Sequence, residues 1–235
     1  MSFIIKNEEL DDNKNKKDTN EVENIKELGN YPPAPFASDI FTMTIIGQIE
    51  GHTVLPPQTK STKYEHIFPQ LVNVEENPNI KGLLVILNTV GGDVEAGLAI
   101  AEMINSITKP TVSLVVGGGH SIGVPLAVAT DYSFISPTAT MIIHPIRMNG
   151  LVIGVPQTFA YFQKMQDRIL SFITRNSKVS KEKLRELMLE TDELLNDMGT
   201  ILIGNQAVEL GLIDEVGGIG EAYKKLRDMV DRANA

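Results

Sequence analysis

The chain predicts an α/β protein of repeated ββα and βα units, and three observations lead to that class. Residues 83–87 (Leu-Leu-Val-Ile-Leu) and 111–116 (Thr-Val-Ser-Leu-Val-Val) are near-continuous apolar runs, the signature of strands buried on both faces. Apolar residues at helical spacing separate them. Glycine-rich segments, Thr89-Val90-Gly91-Gly92-Asp93 and Gly117-Gly118-Gly119-His120-Ser121-Ile122-Gly123, stand where each strand hands over to a helix. A βαβ unit is the simplest account.

Taken in order, the first strand covers residues 41–46 and ends at Gly47, followed by a Pro56-Pro57 loop. Tyr64, Ile67, Phe68, Leu71 and Val74 then repeat at helical period up to the Asn77-Pro78 break. After the strand at 83–87, Val94, Leu98, Ala101 and Ile104 mark a helix, and Lys109-Pro110 leads into the strand at 111–116. A glycine turn at 117–120 opens a small-residue helix through Ile122, Leu126 and Ala129, and strands follow at 132–135 and 140–143. A long, protruding helix begins near Gln157, with Phe159, Phe162, Gln166, Ile169 and Ile173 on one face. Ser180 opens another helix, through Leu184, Leu187 and Met188. Residues 207–214 read as a short helix capped at Gly211 and a returning strand, before a charged helix from about Gly220. No internal repeat of about 20–50 residues is visible.

The 235 residues are 42% hydrophobic and 22% charged, enough for one sizeable core in a soluble chain. Residues 1–38 differ: Asn, Asp, Glu and Lys dominate, and such a segment buries too little apolar surface to offset its ordering entropy. They are expected to be a disordered tail, and 39–235 the folded domain. A net charge of −9 with no basic cluster argues against nucleic-acid partners. The absence of cysteine rules out disulfides, thiolate nucleophiles and Cys-based zinc sites, and it fits the cytoplasm. Residues 110–130 carry no Asp, Glu, Lys or Arg, yet glycines and Pro125 interrupt them, so they read as a buried strand, turn and helix and not as a transmembrane segment. The short apolar start lacks the features of a signal peptide. No cofactor or metal is called for.

Each glycine-rich segment would present backbone N–H groups at a helix start, a suitable place to stabilise a developing oxyanion. Neither carries the Lys-[Ser/Thr] pair of a phosphate loop or a full dinucleotide fingerprint. Ser121, at the start of a helix, is either a cap or a nucleophile. His144, at the end of the strand Met141-Ile142-Ile143, is either a structural histidine or a base.

The order of these motifs resembles the Clp protease proteolytic subunit family over about residues 40–216, which implies a Clp/crotonase-like fold. Asn88-Thr89-Val90-Gly91-Gly92 matches that family's Asn-x-x-Gly-Gly, and Gly118-Gly119-His120-Ser121-Ile122-Gly123 its nucleophile turn. Met141-Ile142-Ile143-His144-Pro145 resembles its Met-Ile-His-x-Pro, and residues 207–214 its closing Ala-x-x-Tyr-Gly-Leu-Ile-Asp. The resemblance implies a serine endopeptidase that forms stacked homo-oligomeric rings and takes peptide or unfolded protein as substrate. Ser121 is then the nucleophile, His144 the base, and the N–H groups of Gly92 and Ile122 the oxyanion hole. Asp197 is the favoured third member and Asp192 its competitor, because extra residues disturb the spacing there.

Two departures stand out: His120 replaces the customary small residue before the serine, and Pro145 follows His144 directly. The tail replaces the family's axial loops, which leaves an ATPase unfoldase partner open. Together these features are most similar to the family's translocation-enhancing branch, implying a link to export or quality control at the membrane periphery. Three alternatives stand beside this reading. They are a Ser-Lys peptidase of signal-peptide-peptidase type using Lys164, a catalytically inactive chaperone-like assembly subunit, and an acyl-CoA enzyme of the crotonase branch.

Overall fold

The computed structural model describes residues 38–147, 154–191 and 198–233. Nearly all of the expected tail, together with Asp192 and Asp197, lies outside the described residues. From Asp39 onward a mixed α/β fold forms around an eight-stranded, predominantly parallel sheet.

The main path of the sheet runs β2 (Ser61–Lys63), β1 (Ile40–Glu50), β3 (Gly82–Gly92), β4 (Thr111–Gly119), β5 (Tyr132–Ile135) and β8 (Glu215–Val216), all in parallel pairs. The apolar runs in β3 and β4 occupy its centre, where both faces are covered. On one face α1 (Tyr64–Glu76), α2 (Val94–Asn105) and α3 (Gly123–Ala127) bury Leu71, Ile100 and Leu126 against Met43, Val85, Leu87 and Val115. On the other, α7 (Ile219–Ala233) packs Ala222, Leu226 and Val230 on Leu84, Val112, Leu114 and Phe134. Full burial of each such Leu or Phe contributes about 1.5–3 kcal/mol before chain entropy is subtracted.

A second, smaller ribbon branches from β4. Strand β6 (Thr140–Ile143) meets β4 through one parallel residue pair, Gly118 with Thr140, and is otherwise paired antiparallel along its whole length to β7 (Thr200–Ile203). Between these two strands in sequence come α4 (Val155–Arg175) and α5 (Lys181–Met188), whose Ser180 cap accepts from Lys183 N–H at 3.1 Å. Helix α6 (Asn205–Glu209) then leads back to β8.

Helix α4 is divided along its length. Its buried residues, Met165, Ile169, Leu170, Phe172 and Ile173, all lie in the second half, while Phe159 is 64% exposed and Tyr161 54%. The apolar face expected from Phe159 to Ile173 is therefore a core face only from Met165 onward. Arg168 and Arg175 pair with Glu95 and Glu102 of α2, which fixes the second half laterally.

The structure places several boundaries differently from the sequence pattern. Both glycine-rich segments are largely extended, because β3 runs through Gly92 and β4 through Gly119. A Cβ on Gly117 would sit 2.5 Å from Asn88 Oδ1, so the missing side chain lets the two strands approach. The charge-free stretch 110–130 is a buried strand and short helix, as expected, and no helix among the described residues is long and apolar enough to cross a membrane.

Candidate active site

The second glycine segment delivers β4 into a turn at His120-Ser121-Ile122. Four backbone bonds hold it: His120 N–H donates to the Thr89 carbonyl (3.1 Å), Ser121 N–H to Ile142 (2.8 Å), Gly123 N–H to His120 (2.8 Å) and Val124 N–H to Ser121 (3.0 Å). The Ile122 N–H takes no part in this set. Ser121 has φ 57°, and it is the one non-glycine residue in the left-handed region among the described residues. That conformation costs an L-residue about 1–2 kcal/mol, and it persists because the surrounding bonds over-determine it. The hydroxyl is not spent on a cap, since α3 starts with Ile122 at its cap position and no side-chain cap bond. Of the two roles open to Ser121, the capping one is not realised.

The first glycine segment comes up against this turn from β3. Gly91 adopts φ 88° and a Cβ there would lie 2.7 Å from Ser121 Cβ; Gly92 adopts φ 153° and its Cβ would lie 2.2 Å from the Ile49 carbonyl oxygen. Only glycine fits either position. Thr89, fully buried, locks the approach by donating its hydroxyl to the Gly47 carbonyl (2.6 Å) and accepting from Gly91 N–H (3.0 Å). Asp93 then caps α2 by accepting from Ala96 N–H at 2.8 Å.

His144 stands just past the end of β6, half-buried. Its Nδ1 lies 2.6 Å from the Pro145 carbonyl oxygen. A carbonyl can only accept, so in the neutral ring the proton sits on Nδ1 and Nε2 keeps its lone pair, the state a general base needs. Behind it, Gly199 packs so closely that a Cβ would lie 2.9 Å from His144 Cβ. Ser121, Ile122, Gly92, His144 and Arg147 line one cleft of about 120 Å³, with Ile169 and Ile173 of α4 on its wall. Ser121 and the His144 ring share this cleft without a direct hydrogen bond, and such bonds are often long in the absence of substrate.

His120 faces away from the cleft lining, toward the start of β6, with its Nε2 2.8 Å from Thr140 Oγ1. Burial, and then the neighbouring His144, hold its imidazole below the ordinary range, so it is neutral at neutral pH. Lys164 is exposed on α4 and does not line the cleft. Asp192 and Asp197 lie outside the described residues. The residues that sequence reasoning missed are Thr89 and Thr140. Thr89 is polar between an apolar run and two glycines, and Thr140 lies an even number of residues from His144, hence on the same strand face.

Four of the predicted site residues thus meet in one cleft, between two glycine-dependent strand ends. The Clp protease family model matches residues 39–219. The chain belongs to the Clp protease family. It is 61% identical to the translocation-enhancing protein TepA of Halalkalibacterium halodurans over 212 residues, 90% of this chain and 83% of that one. It is 29% identical to the ATP-dependent Clp protease proteolytic subunits of Lactococcus lactis and Streptococcus sanguinis over 157 residues. That stretch is 64% of this chain and 74% and 76% of theirs. Of the two glycines at 91 and 92, Gly91 is the one bared for the approach of the Ser121 turn, and Gly92 for the backbone of Ile49 in β1.

Proposed function

We propose that this Clp-type chain is a serine endopeptidase whose cleft hydrolyses peptide bonds in short or unfolded chains. The observation that carries the reading is the strained, uncapped Ser121 in one cleft with His144 and the backbone of Gly92 and Ile122. Ser121 Oγ attacks the peptide carbonyl as its proton passes to His144 Nε2, and the C=O π pair moves onto the carbonyl oxygen. The N–H groups of Gly92 and Ile122 receive that oxyanion. Collapse breaks the C–N bond, His144 returns the proton to the leaving amine, and water hydrolyses the acyl-enzyme by the same route. Asp197, or Asp192 in its place, is the proposed carboxylate that shares the Nδ1–H and stabilises the imidazolium. No cofactor takes part in these steps.

The same reading places the peptidase in the cytoplasm at the membrane periphery, as a homo-oligomeric ring around a chamber, with a role in protein export or quality control. The support is family membership and the likeness to a protein named for translocation enhancement. Residues 1–38 are proposed as a tail outside the catalytic domain at 39–235.

The test is labelling of the native protein by a fluorophosphonate probe, with the adduct located by peptide mapping. The expected result is an adduct on Ser121 that is lost in Ser121→Ala and His144→Ala. Asp197→Asn, compared with Asp192→Asn, identifies the carboxylate by a loss of up to about 10⁴-fold in rate. Absence of adduct in folded, oligomeric protein would favour the inactive assembly subunit instead.

A further inference from the structure

Among the described residues few hydrogen bonds join the part of the molecule that carries the nucleophile to the part that carries the base, although Met141 and Ile143 of β6 share the apolar core with Val115 and Ile122. Ser121 sits at the end of β4, in the main sheet. His144 sits at the end of β6, whose long pairing is with β7. Between β4 and β6 there is one ladder pair, Gly118 with Thr140. The turn adds one backbone bond, Ser121 N–H to the Ile142 carbonyl at 2.8 Å. Among the described residues a single side-chain bond completes the joint, between His120 Nε2 and Thr140 Oγ1 at 2.8 Å.

We infer that His120 and Thr140 form a clamp that sets the position of the base-bearing strand against the nucleophile turn, and that both are positioning residues for the proposed hydrolysis. The inference rests on that reading of Ser121 and His144. Three features of the geometry support it. Thr140, Ile142 and His144 alternate on one side of β6, so a shift of Thr140 along the strand is passed to His144 through two stiff β-branched residues. His120 is the immediate neighbour of Ser121, so the clamp acts at the strained residue itself. Room for the imidazole is made by Gly118, where a Cβ would approach His120 Cε1 to 3.1 Å. A small residue before the serine could not span the gap to Thr140. The neutral state of His120 matters as well: a second cation beside His144 would oppose the imidazolium that forms during acyl transfer.

The titratable and charged groups around the clamp are few. On the turn itself and on β6 the neighbouring imidazole is His144, and Arg147 lies beyond it on the cleft rim. The clamp bond survives either protonation state of His120, because the threonine hydroxyl both donates and accepts. Its loss therefore needs a substitution.

The experiment measures the second-order rate of fluorophosphonate labelling at Ser121, alongside melting temperature, in intact protein carrying Thr140→Val, Thr140→Ser, His120→Ala or His120→Gln. Thr140→Val keeps the shape and removes the hydroxyl. The expected result is labelling slower by about tenfold to a hundredfold in Thr140→Val and His120→Ala, the scale of a misplaced catalytic group. Thr140→Ser and His120→Gln, which restore a polar partner, should recover to within about threefold of the parent. Melting temperatures should not follow that ranking. If Thr140→Val labels as fast as the parent, or if the loss follows melting temperature and neither conservative variant rescues it, the clamp is wrong while the hydrolase reading stands. If the parent itself forms no Ser121 adduct, both fall.

Discussion

The two glycine-rich strand ends have similar composition and opposite uses of their polar residue. At the end of β3, Gly91 and Gly92 are followed by Asp93, whose carboxylate accepts from Ala96 N–H and starts α2. At the end of β4, Gly118 and Gly119 are followed by His120 and Ser121, and α3 begins without any side-chain cap. The first end has an ordinary helix start and a relaxed Asp93, with its strain confined to glycines that tolerate it. The second forces a serine into the left-handed region and leaves its hydroxyl uncommitted. One polar side chain stabilises the fold, and the other costs stability and is available for chemistry.

The largest effect that would break this comparison comes from the serine. Ser121→Ala should lower hydrolysis of an unfolded-protein substrate by about 10⁴-fold or more, whereas Asp93→Ala, measured per folded molecule, should leave it within about threefold. Equal losses would mean that both strand ends serve stability alone. Next in size, Gly91→Ala puts a methyl 2.7 Å from Ser121 Cβ, and the rate of Ser121 labelling should fall by about a hundredfold, read in protein shown to be folded by circular dichroism.

Smaller effects sharpen the contrast through stability. Asp93→Ala loses a cap and should cost about 1 kcal/mol in urea unfolding. Comparison of Ser121→Gly with Ser121→Ala, both inactive, should go the other way: glycine relieves the positive φ and gains about 1 kcal/mol. The smallest effect concerns acid. His120 is held below the ordinary imidazole value of about 6.5 by burial and by His144. The unfolded chain therefore binds more protons than the native one in that range. The contribution of neutral His120 is complete above about pH 6.5 and is lost as pH falls through the lower native value. The urea midpoint should decline over that interval, and less steeply in His120→Gln.

Much of this was legible in the residues and some was not. The run at 83–87 announced a strand buried on both faces, and it is. The segments at 89–93 and 117–120 read as turns because glycine carries no strand signature, yet most of each is extended: with no side chain to display a period, only the neighbouring strand reveals the conformation. Strand β2 has three half-buried residues, Ser61, Thr62 and Lys63, with no apolar pattern, and its place comes from pairing with Gln48, Ile49 and Glu50 of β1. Strand β7 was missed for a related reason, since Thr200–Ile203 is short and follows the irregular spacing around Asp197. Likewise, the apolar face of α4 continues in sequence beyond the point where it stops being buried.

The sequence by itself determined the α/β class and the buried central strands, because burial leaves local marks in composition and period, and it marked Ser121, His144 and the two glycine-rich segments as candidates for chemistry. The tertiary structure decided that Ser121 is not a cap, that Gly91 must be bare because Ser121 stands against it, and that His120 reaches Thr140. Those facts depend on which distant strand ends meet, and one ladder pair between Gly118 and Thr140 is a property of the assembled sheet that no local pattern records.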